Sequence, residues 1–322
     1  MATLQDVAAR AGVSTATVSK VLSNTPYVSE PTRQRVMLAI SELGYKPNLA
    51  ARALSTGRTH IIAVVFPYIY DPIFKDPLVM HILEGIEAEI SSQDYNMLLS
   101  APRLAQDAVD PAYQQLIDSG YIEGVIAIDS VPIASAASPA LERGLPAVVL
   151  GYHPAPYTVR CDDRRGGVLL MEHLLDLGHR RIGVISIAPD LNFAVNERIS
   201  GMHQAAESAG LIFEDFPIAF GDFSTESGAQ ALHELLDLDP EITAVACIND
   251  RMAMGAIQAA RQRGLRVPRD LSIAGYDNVS MGEVFMPPLT TIDQQASQMG
   301  RLTVRILLDV LQGKTPSSVV LE

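Results

Sequence analysis

The sequence predicts a small all-α helix-turn-helix headpiece followed by an α/β core of two doubly wound parallel-sheet subdomains. Three observations carry that expectation. The first 46 residues repeat apolar positions at helical spacing. From His60 onward, short apolar runs alternate with helical patterns in two successive series. The charge is divided between these two parts: the whole chain of 322 residues has a net charge of −13, which taken alone argues against a polyanionic partner. Residues 1 to 60, however, hold seven basic residues (Arg10, Lys20, Arg33, Arg35, Lys46, Arg52, Arg58) against three acidic ones (Asp6, Glu30, Glu42), a net +4, so the remainder carries 17 against 34, a net −17.

In the basic part, Thr3 is placed to cap a first helix. Asp6, three residues on, favours the positive end of its dipole, and Leu4, Val7 and Ala8 form its apolar face. Ala11-Gly12-Val13 makes a tight turn, and Ser14 caps a second helix running to about Leu22. Val18, Val21 and Leu22 lie on its inner side, leaving Thr15, Ala16, Ser19 and Lys20 facing out. Ser29 caps a third helix with Pro31 in its first turn; Val36, Ala39, Ile40 and Leu43 repeat at helical spacing until Gly44 ends it. Three short helices with this turn describe a helix-turn-helix DNA reader. A three-helix cap without a ligand has the same geometry, but a basic unit tethered to an acidic body is what phosphate attraction needs. After Pro47, the segment Asn48 to Leu54 is compatible with a helix, although its apolar face is too small to stabilise one alone.

In the acidic part, Ile61 to Phe66, Met97 to Leu99, Gly124 to Ile128 and Ala147 to Leu150 read as buried parallel strands, with helices near 77–92, 107–119 and 134–143. A second series has strands at Arg181 to Ile187, Pro217 to Phe220, Ala244 to Ile248 and Leu271 to Tyr276, with helices near 164–177, 192–209, 225–237 and 251–263. Right-handed crossovers leave the carboxyl ends of both sheets facing one cleft. The stretch Pro288 to Ile292 and a helix from about Gln294 to Gln312 cross back, which divides the core into a first subdomain of about 60–160 plus 290–322 and a second of about 161–289.

Several classes are disfavoured. Cys161 and Cys247 sit in or beside apolar stretches and suit a reducing compartment. There is no secretory signal and no apolar run near the roughly 20 residues of a membrane helix, so a cytoplasmic location is expected. An enzyme is disfavoured because the chain has no Gly-rich phosphate loop, no Gly-x-Ser-x-Gly elbow and no histidines at metal spacing; no cofactor or metal is expected.

Thr3-Leu4-Gln5-Asp6-Val7-Ala8, Ala11-Gly12-Val13-Ser14, Thr17-Val18-Ser19-Lys20-Val21-Leu22 and Leu43-Gly44-Tyr45-Lys46-Pro47-Asn48 resemble the headpiece signature of the lac repressor / galactose repressor family of bacterial transcription regulators, and the likeness runs through nearly the whole chain. The resemblance implies that Thr15 and Ala16 read base edges in the major groove. Lys20 stands where the family usually has arginine, and it lacks the fork needed for a bidentate contact. Thr17, Ser19, Asn24 and Tyr27 fall to phosphate contact or packing, and Asn48 to the same DNA interface. Residues 47–59 correspond to a hinge, with Leu54 at the position that wedges into the minor groove.

The resemblance also implies a periplasmic-binding-protein-like core. Its effector pocket would use Arg198, Asn249, Asp277 and a stacking Phe223, with Phe74, Asp162 and Gln294 as weaker members. It further implies a homodimer on a pseudo-palindromic operator, allosterically controlled by a small effector. A sugar fits this residue set, and a purine or other nucleobase remains an alternative. A sugar-binding receptor without a DNA role would need export. Members of the family generally continue through one more strand, so the end at Val319-Val320-Leu321-Glu322 reads as early or truncated.

Overall fold

The computed structural model describes residues 2–22, 27–45, 58–66, 75–103, 110–129, 135–189 and 191–322. Asn24, Asn48, Leu54, Phe74 and most of the expected 47–59 hinge lie outside the described residues. The chain divides into two compact units, Met1–Thr59 and His60–Glu322.

The first unit holds α1 (Leu4–Ala11), α2 (Thr15–Leu22) and α3 (Glu30–Leu43). Thr3 and Asp6 satisfy each other's orphan donors. The Thr3 N–H donates to the Asp6 carboxylate at 2.8 Å, and the Asp6 N–H donates to the Thr3 hydroxyl oxygen at 3.3 Å. Ser14 Oγ accepts from the Thr17 N–H at 3.2 Å and starts α2 only three residues after α1 ends, the break being made by Gly12 in the left-handed region (φ +64°). Ser29 precedes α3 as expected, but its side chain does not cap the helix: its hydroxyl donates to Thr32 Oγ1 at 3.0 Å instead. Val7, Val18 and Val36, one from each helix, are wholly buried at the centre of a small core.

The second unit contains two parallel sheets. The first is built from β1 (Ile61–Val65), β2 (Asn96–Ser100), β3 (Gly124–Asp129), β4 (Ala147–Gly151), β5 (Thr158–Cys161) and β11 (Val319–Leu321), in the order β11-β5-β4-β3-β1-β2. The second is built from β6 (Ile182–Ile187), β7 (Ile218–Gly221), β8 (Ala244–Cys247), β9 (Ser272–Asp277) and β10 (Thr290–Asp293), in the order β10-β9-β8-β6-β7. The helices α4 (Pro77–Ser91), α5 (Pro111–Asp118), α6 (Ser138–Glu142), α7 (Asp163–Asp176), α8 (Phe193–Ser208), α9 (Thr225–Leu238), α10 (Asp250–Gln262), α11 (Met281–Val284) and α12 (Ala296–Leu311) complete it. Strands such as Val125–Ala127, Val148–Val149 and Ala244–Cys247 are buried on both faces, as unbroken apolar runs in a parallel sheet should be.

The expected subdomain boundary needs one correction. Residues 290–293 do not return to the first subdomain: β10 pairs in parallel with β9, from Thr290 opposite Ala274 to Asp293 opposite Asp277, and extends the second sheet. The chain crosses back immediately afterwards, at Gln294-Gln295, and α12 then packs against α4 and under β3, β4 and β5. The other crossing follows β5, where the Asp162 N–H donates to the Leu321 carbonyl at 2.8 Å. The terminal segment 319–321 is itself a strand, β11, paired with β5 from Val319 opposite Val159 to Leu321 opposite Cys161.

Three helix pairs meet at glycine on both sides. A Cβ on Gly167 would lie 2.0 Å from the Arg198 carbonyl oxygen, and one on Gly201 2.0 Å from that of Arg164, so α7 and α8 touch backbone to backbone. Gly228 and Gly255 do the same for α9 and α10, and Gly85 and Gly300 for α4 and α12.

Candidate functional site

Helix α2 buries Val18 and Val21 and leaves Thr15, Ala16, Ser19 and Lys20 exposed on one open face. Thr17 is turned towards the helix start, its hydroxyl 2.9 Å from Ser14 Oγ, and Tyr27 projects from the following segment, 91% exposed. A short helix packed through valines on one side and carrying hydroxyls and an ammonium on the other can enter a groove without disturbing its own core.

A cavity of about 250 Å³ lies in the second unit, where the carboxyl ends of the two sheets face each other. Its lining follows the topology. Phe66 follows β1, Ile128 is in β3, Gly151 ends β4 and Cys161 ends β5; from the second sheet, Asn192 follows β6, Asp222 and Phe223 follow β7, Asn249 follows β8 and Asp277 ends β9. The first subdomain contributes a mainly aliphatic wall, including Leu78, Val79, Ile82, Leu150 and Met299, and the second contributes most of the polar groups.

Arg198, in the second turn of α8, organises the polar side. Its Nε donates to Asp163 Oδ1 at 2.8 Å and its Nη1 to the Ile248 carbonyl at 2.7 Å; Nη1 lies 3.7 Å from Asp277 Oδ1, and the guanidinium sits 3.8 Å from the centre of the Tyr276 ring. Burial alone would lower the Arg198 pKa, but Asp163, Tyr276 and Asp277 together outweigh it and hold the guanidinium above its ordinary value. Burial pushes the Asp277 carboxyl well above the usual carboxylate range, against the attraction of Arg198 and with help from the charges of Asp250 and Asp76. Gln294 Nε2 donates to Asp277 Oδ1, and Gln294 Oε1 lies 3.7 Å from the Cys161 sulfur. That thiol is pushed up to about 12 by burial and by Asp163, so at neutral pH it is a donor and not a thiolate.

Asn249 is a positioning residue. Its Oδ1 accepts from the Met252 N–H at 3.0 Å, capping α10, and its Nδ2 donates to the Phe223 carbonyl at 3.1 Å, holding that residue in the left-handed region (φ +70°). A phenylalanine held at positive φ is strained, and here the strain sets a ring at the cavity. Asp250, beside it, faces inward: it accepts from the Val279 N–H at 2.9 Å and from the Thr291 hydroxyl, tying the ends of β8, β9 and β10 together.

Of the residues expected to bind effector, Arg198, Phe223, Asn249, Asp277 and Gln294 line one cavity. Asp162 does not. Its Oδ1 accepts from the Arg165 N–H at 2.9 Å as the cap of α7, and the next residue, Asp163, turns into the cavity. An Asp-Asp doublet at the start of a helix signals that one of the two caps and the other is free to turn in, without saying which. Asp76, Arg160, Asn192, Asp222 and Arg251 also line the cavity without having been anticipated; Arg160 lies within the short strand β5, and the other four follow a strand or begin a helix, where polar residues also serve as ordinary caps. Among the described residues, no group of three or more His, Cys, Asp or Glu side chains could hold a metal ion, and no helix is long and apolar enough to cross a membrane.

Comparison with known proteins places both units. Residues 3–48 match the model of bacterial regulatory proteins of the lacI family, and residues 171–322 match a periplasmic binding protein-like domain. The HTH-type transcriptional repressor CytR of Escherichia coli (strain K12) is 37% identical over 317 residues, 97% of this chain and 91% of that protein. Among solved structures, the lac repressor dimer bound to operator and the anti-inducer ONPF superposes with a TM-score of 0.85 at 27% identity, covering 99% of this chain and 96% of that one. The complex of the transcriptional regulator CelR with cellobiose gives a TM-score of 0.73 at 32% identity, covering 100% and 97%. A helix-turn-helix unit with an exposed polar helix face, a cavity between two parallel sheets and end-to-end similarity to these repressors converge: the chain is a DNA-binding transcriptional regulator and belongs to the lacI family of bacterial regulatory proteins.

Proposed function

We propose that this regulator is set by a small, uncharged ligand with a polyhydroxylated ring, and that the ligand's binding changes operator affinity. The observation that carries the proposal is the polarised cavity. Asp277, Arg198 and Asn192 offer an acceptor and planar polar groups on the second subdomain, with the Phe223 ring beside them, and an aliphatic wall faces them from the first. Neighbouring hydroxyls of a sugar suit the former, and a C–H face suits the ring. The lining carries four carboxyls (Asp76, Asp163, Asp222, Asp277) against three guanidiniums (Arg160, Arg198, Arg251), with no cation in excess for an anionic ligand. About 250 Å³ is at the small end of ligand cavities, the size of one ring with a substituent.

The aliphatic wall also favours a second reading, a purine or other nucleobase-bearing ligand whose ring lies against Leu78, Val79 and Ile82. On the DNA side, Thr15, Ala16 and Lys20 are the proposed base-reading residues. Ser19, Thr17, Asn24, Tyr27 and Asn48 act at the backbone, and Leu54 is the proposed minor-groove wedge. A dimer presents two such headpieces to the two halves of a pseudo-palindromic site.

The test is a thermal-shift screen of the full chain against monosaccharides, glycosides, nucleosides, free nucleobases, sugar phosphates and other small anions, because a ligand that binds only the folded protein raises its melting temperature. DNA fragments selected by the protein from genomic DNA are then titrated with and without the hit. A hit that raises the melting temperature and changes fragment affinity supports the proposal. Stabilisation only by sugar phosphates or other anions would overturn the uncharged-ligand reading.

A further inference from the structure

Arg251 occupies an unfavourable place for a cation. It is the second residue of α10, where the unsatisfied N–H groups of a helix start make the potential positive. A carboxylate lies opposite it. Asp76, the cap of α4 in the first subdomain, uses Oδ1 to accept from the Leu78 N–H at 3.0 Å, and its other oxygen, Oδ2, lies 3.9 Å from Arg251 Nη1. One carboxylate therefore caps the start of a helix in one subdomain and lies opposite a guanidinium in the first turn of a helix in the other. Both line the cavity, and the Arg251 side chain is only 13% exposed. On its own side, Arg251 is near enough to Asp222 to help hold that carboxyl below its ordinary pKa, after the larger contributions of the Ser224 and Ser227 hydroxyls.

We propose that Asp76 and Arg251 form a charge latch across the cavity that holds the two core subdomains in their closed arrangement. Opening the cleft separates the pair and leaves Arg251 at a helix start without the cross-cleft carboxylate. Closure restores the cross-cleft carboxylate. The latch regulates the same cavity assigned to the ligand, and its effect on ligand binding rests on that reading; its effect on closure does not. A partly buried pair of this kind, more shielded from salt than a surface one, shifts a two-state equilibrium by about three- to fivefold.

The experiment measures closure without any ligand. Spin labels are placed on exposed helix faces of the full chain through Gln114→Cys in the first subdomain and Gln230→Cys in the second. Both native cysteines are buried, which keeps labelling selective. Distance distributions are recorded for the parent, Asp76→Asn, Arg251→Gln, the double variant and Arg251→Lys, at low and high NaCl. Asparagine keeps the helix cap, so loss of the charge is separated from loss of the helix.

The expected result is a three- to fivefold rise in the open population in either single variant. The double variant should be no more open than the singles, Arg251→Lys should partly close the cleft again, and high salt should open the parent but not the double variant. Distributions in the single variants that match the parent, or effects that simply add in the double variant, would overturn the latch. A failed ligand screen leaves this measurement intact, so the two proposals can fail separately.

Discussion

Arg198 joins the Asp163 and Asp277 carboxyls and the Ile248 carbonyl at the wall of the cavity. Replacing it with methionine keeps the volume but strands the Asp163 and Asp277 carboxyls in a buried site, so Arg198→Met should cost about 3–5 kcal/mol in urea denaturation. Arg198→Lys should recover only part of this, because an ammonium cannot reach Asp163 and the Ile248 carbonyl with one planar fork. A loss below about 1 kcal/mol for the methionine variant would mean that the two acids find other partners.

Asp250 makes a pH-dependent case. Burial raises its carboxyl to about 6 from 3.8, although the Thr291 hydroxyl and the backbone N–H groups pull it down. The folded state therefore binds its proton more tightly than the unfolded state does. The stability this contributes is complete below about pH 3.8 and is lost as the pH rises through about 6. The stability of the parent minus that of Asp250→Asn should accordingly fall between about pH 4 and 6 and be flat above; a difference that rises with pH would refute the assignment.

At this scale, Asp277 and Asn249 stand at the ends of strands, where the topology and the family resemblance both point, whereas Arg198 is indicated by the resemblance alone; all three line the cavity. Asp163 was not legible in the sequence, because a doublet does not reveal which carboxylate caps and which turns in.

Among elements, the long periodic helices and the apolar strands were readable, with α4, α7, α8, α9, α10 and α12 starting and ending within about two residues of expectation. What escaped was short and half-polar. β5 has alternating burial over four residues with no helix between it and β4, and β11 has three residues; both exist because the first sheet supplies a partner edge, a non-local cause that no local pattern shows. Likewise, the sheet that β10 joins is decided by where the chain turns, at Gln294, and not by its own Thr-Thr-Ile-Asp composition.

The paired glycines also act at this level. Gly201→Ala or Gly255→Ala sets a methyl group 2.0 or 1.9 Å from a carbonyl oxygen of the facing helix, so the helices must part. Alanine raises intrinsic helix propensity by about 0.8–1.0 kcal/mol over glycine, yet each variant should be destabilised by about 1–3 kcal/mol because overpacking outweighs propensity. Ser208→Ala at the exposed end of α8 should be within about 0.5 kcal/mol of the parent in the same chemical denaturation series. A Gly255→Ala protein as stable as the parent would show that α9 and α10 can slide apart without loss.

For the whole molecule, the division of charge makes the strongest functional prediction. A chain with a net charge of −13 should repel DNA, yet its first 60 residues carry +4 and its remaining residues −17. Attraction to phosphate therefore belongs to the unit that bears α2, while the unit that bears the cavity is repelled, and the two act on the same ligand-controlled protein without cancelling, because screening confines each to its own neighbourhood. Two headpieces that together neutralise six or more phosphates should lose about a thousandfold in affinity for non-specific DNA between 50 and 200 mM salt. The fragment 60–322, which is a compact unit with its own two sheets, should retain ligand-induced stabilisation and show no DNA affinity at any salt concentration. Lys20→Glu in the full chain removes one positive charge and adds a negative one on the exposed face of α2. It should weaken operator and non-specific binding together and make the dependence of log affinity on log salt concentration shallower. Fluorescence anisotropy with labelled duplexes measures all three. Measurable DNA binding by fragment 60–322, or a full chain whose affinity is indifferent to salt, would place the DNA contact in the acidic core and contradict the division of labour that the charge pattern indicates.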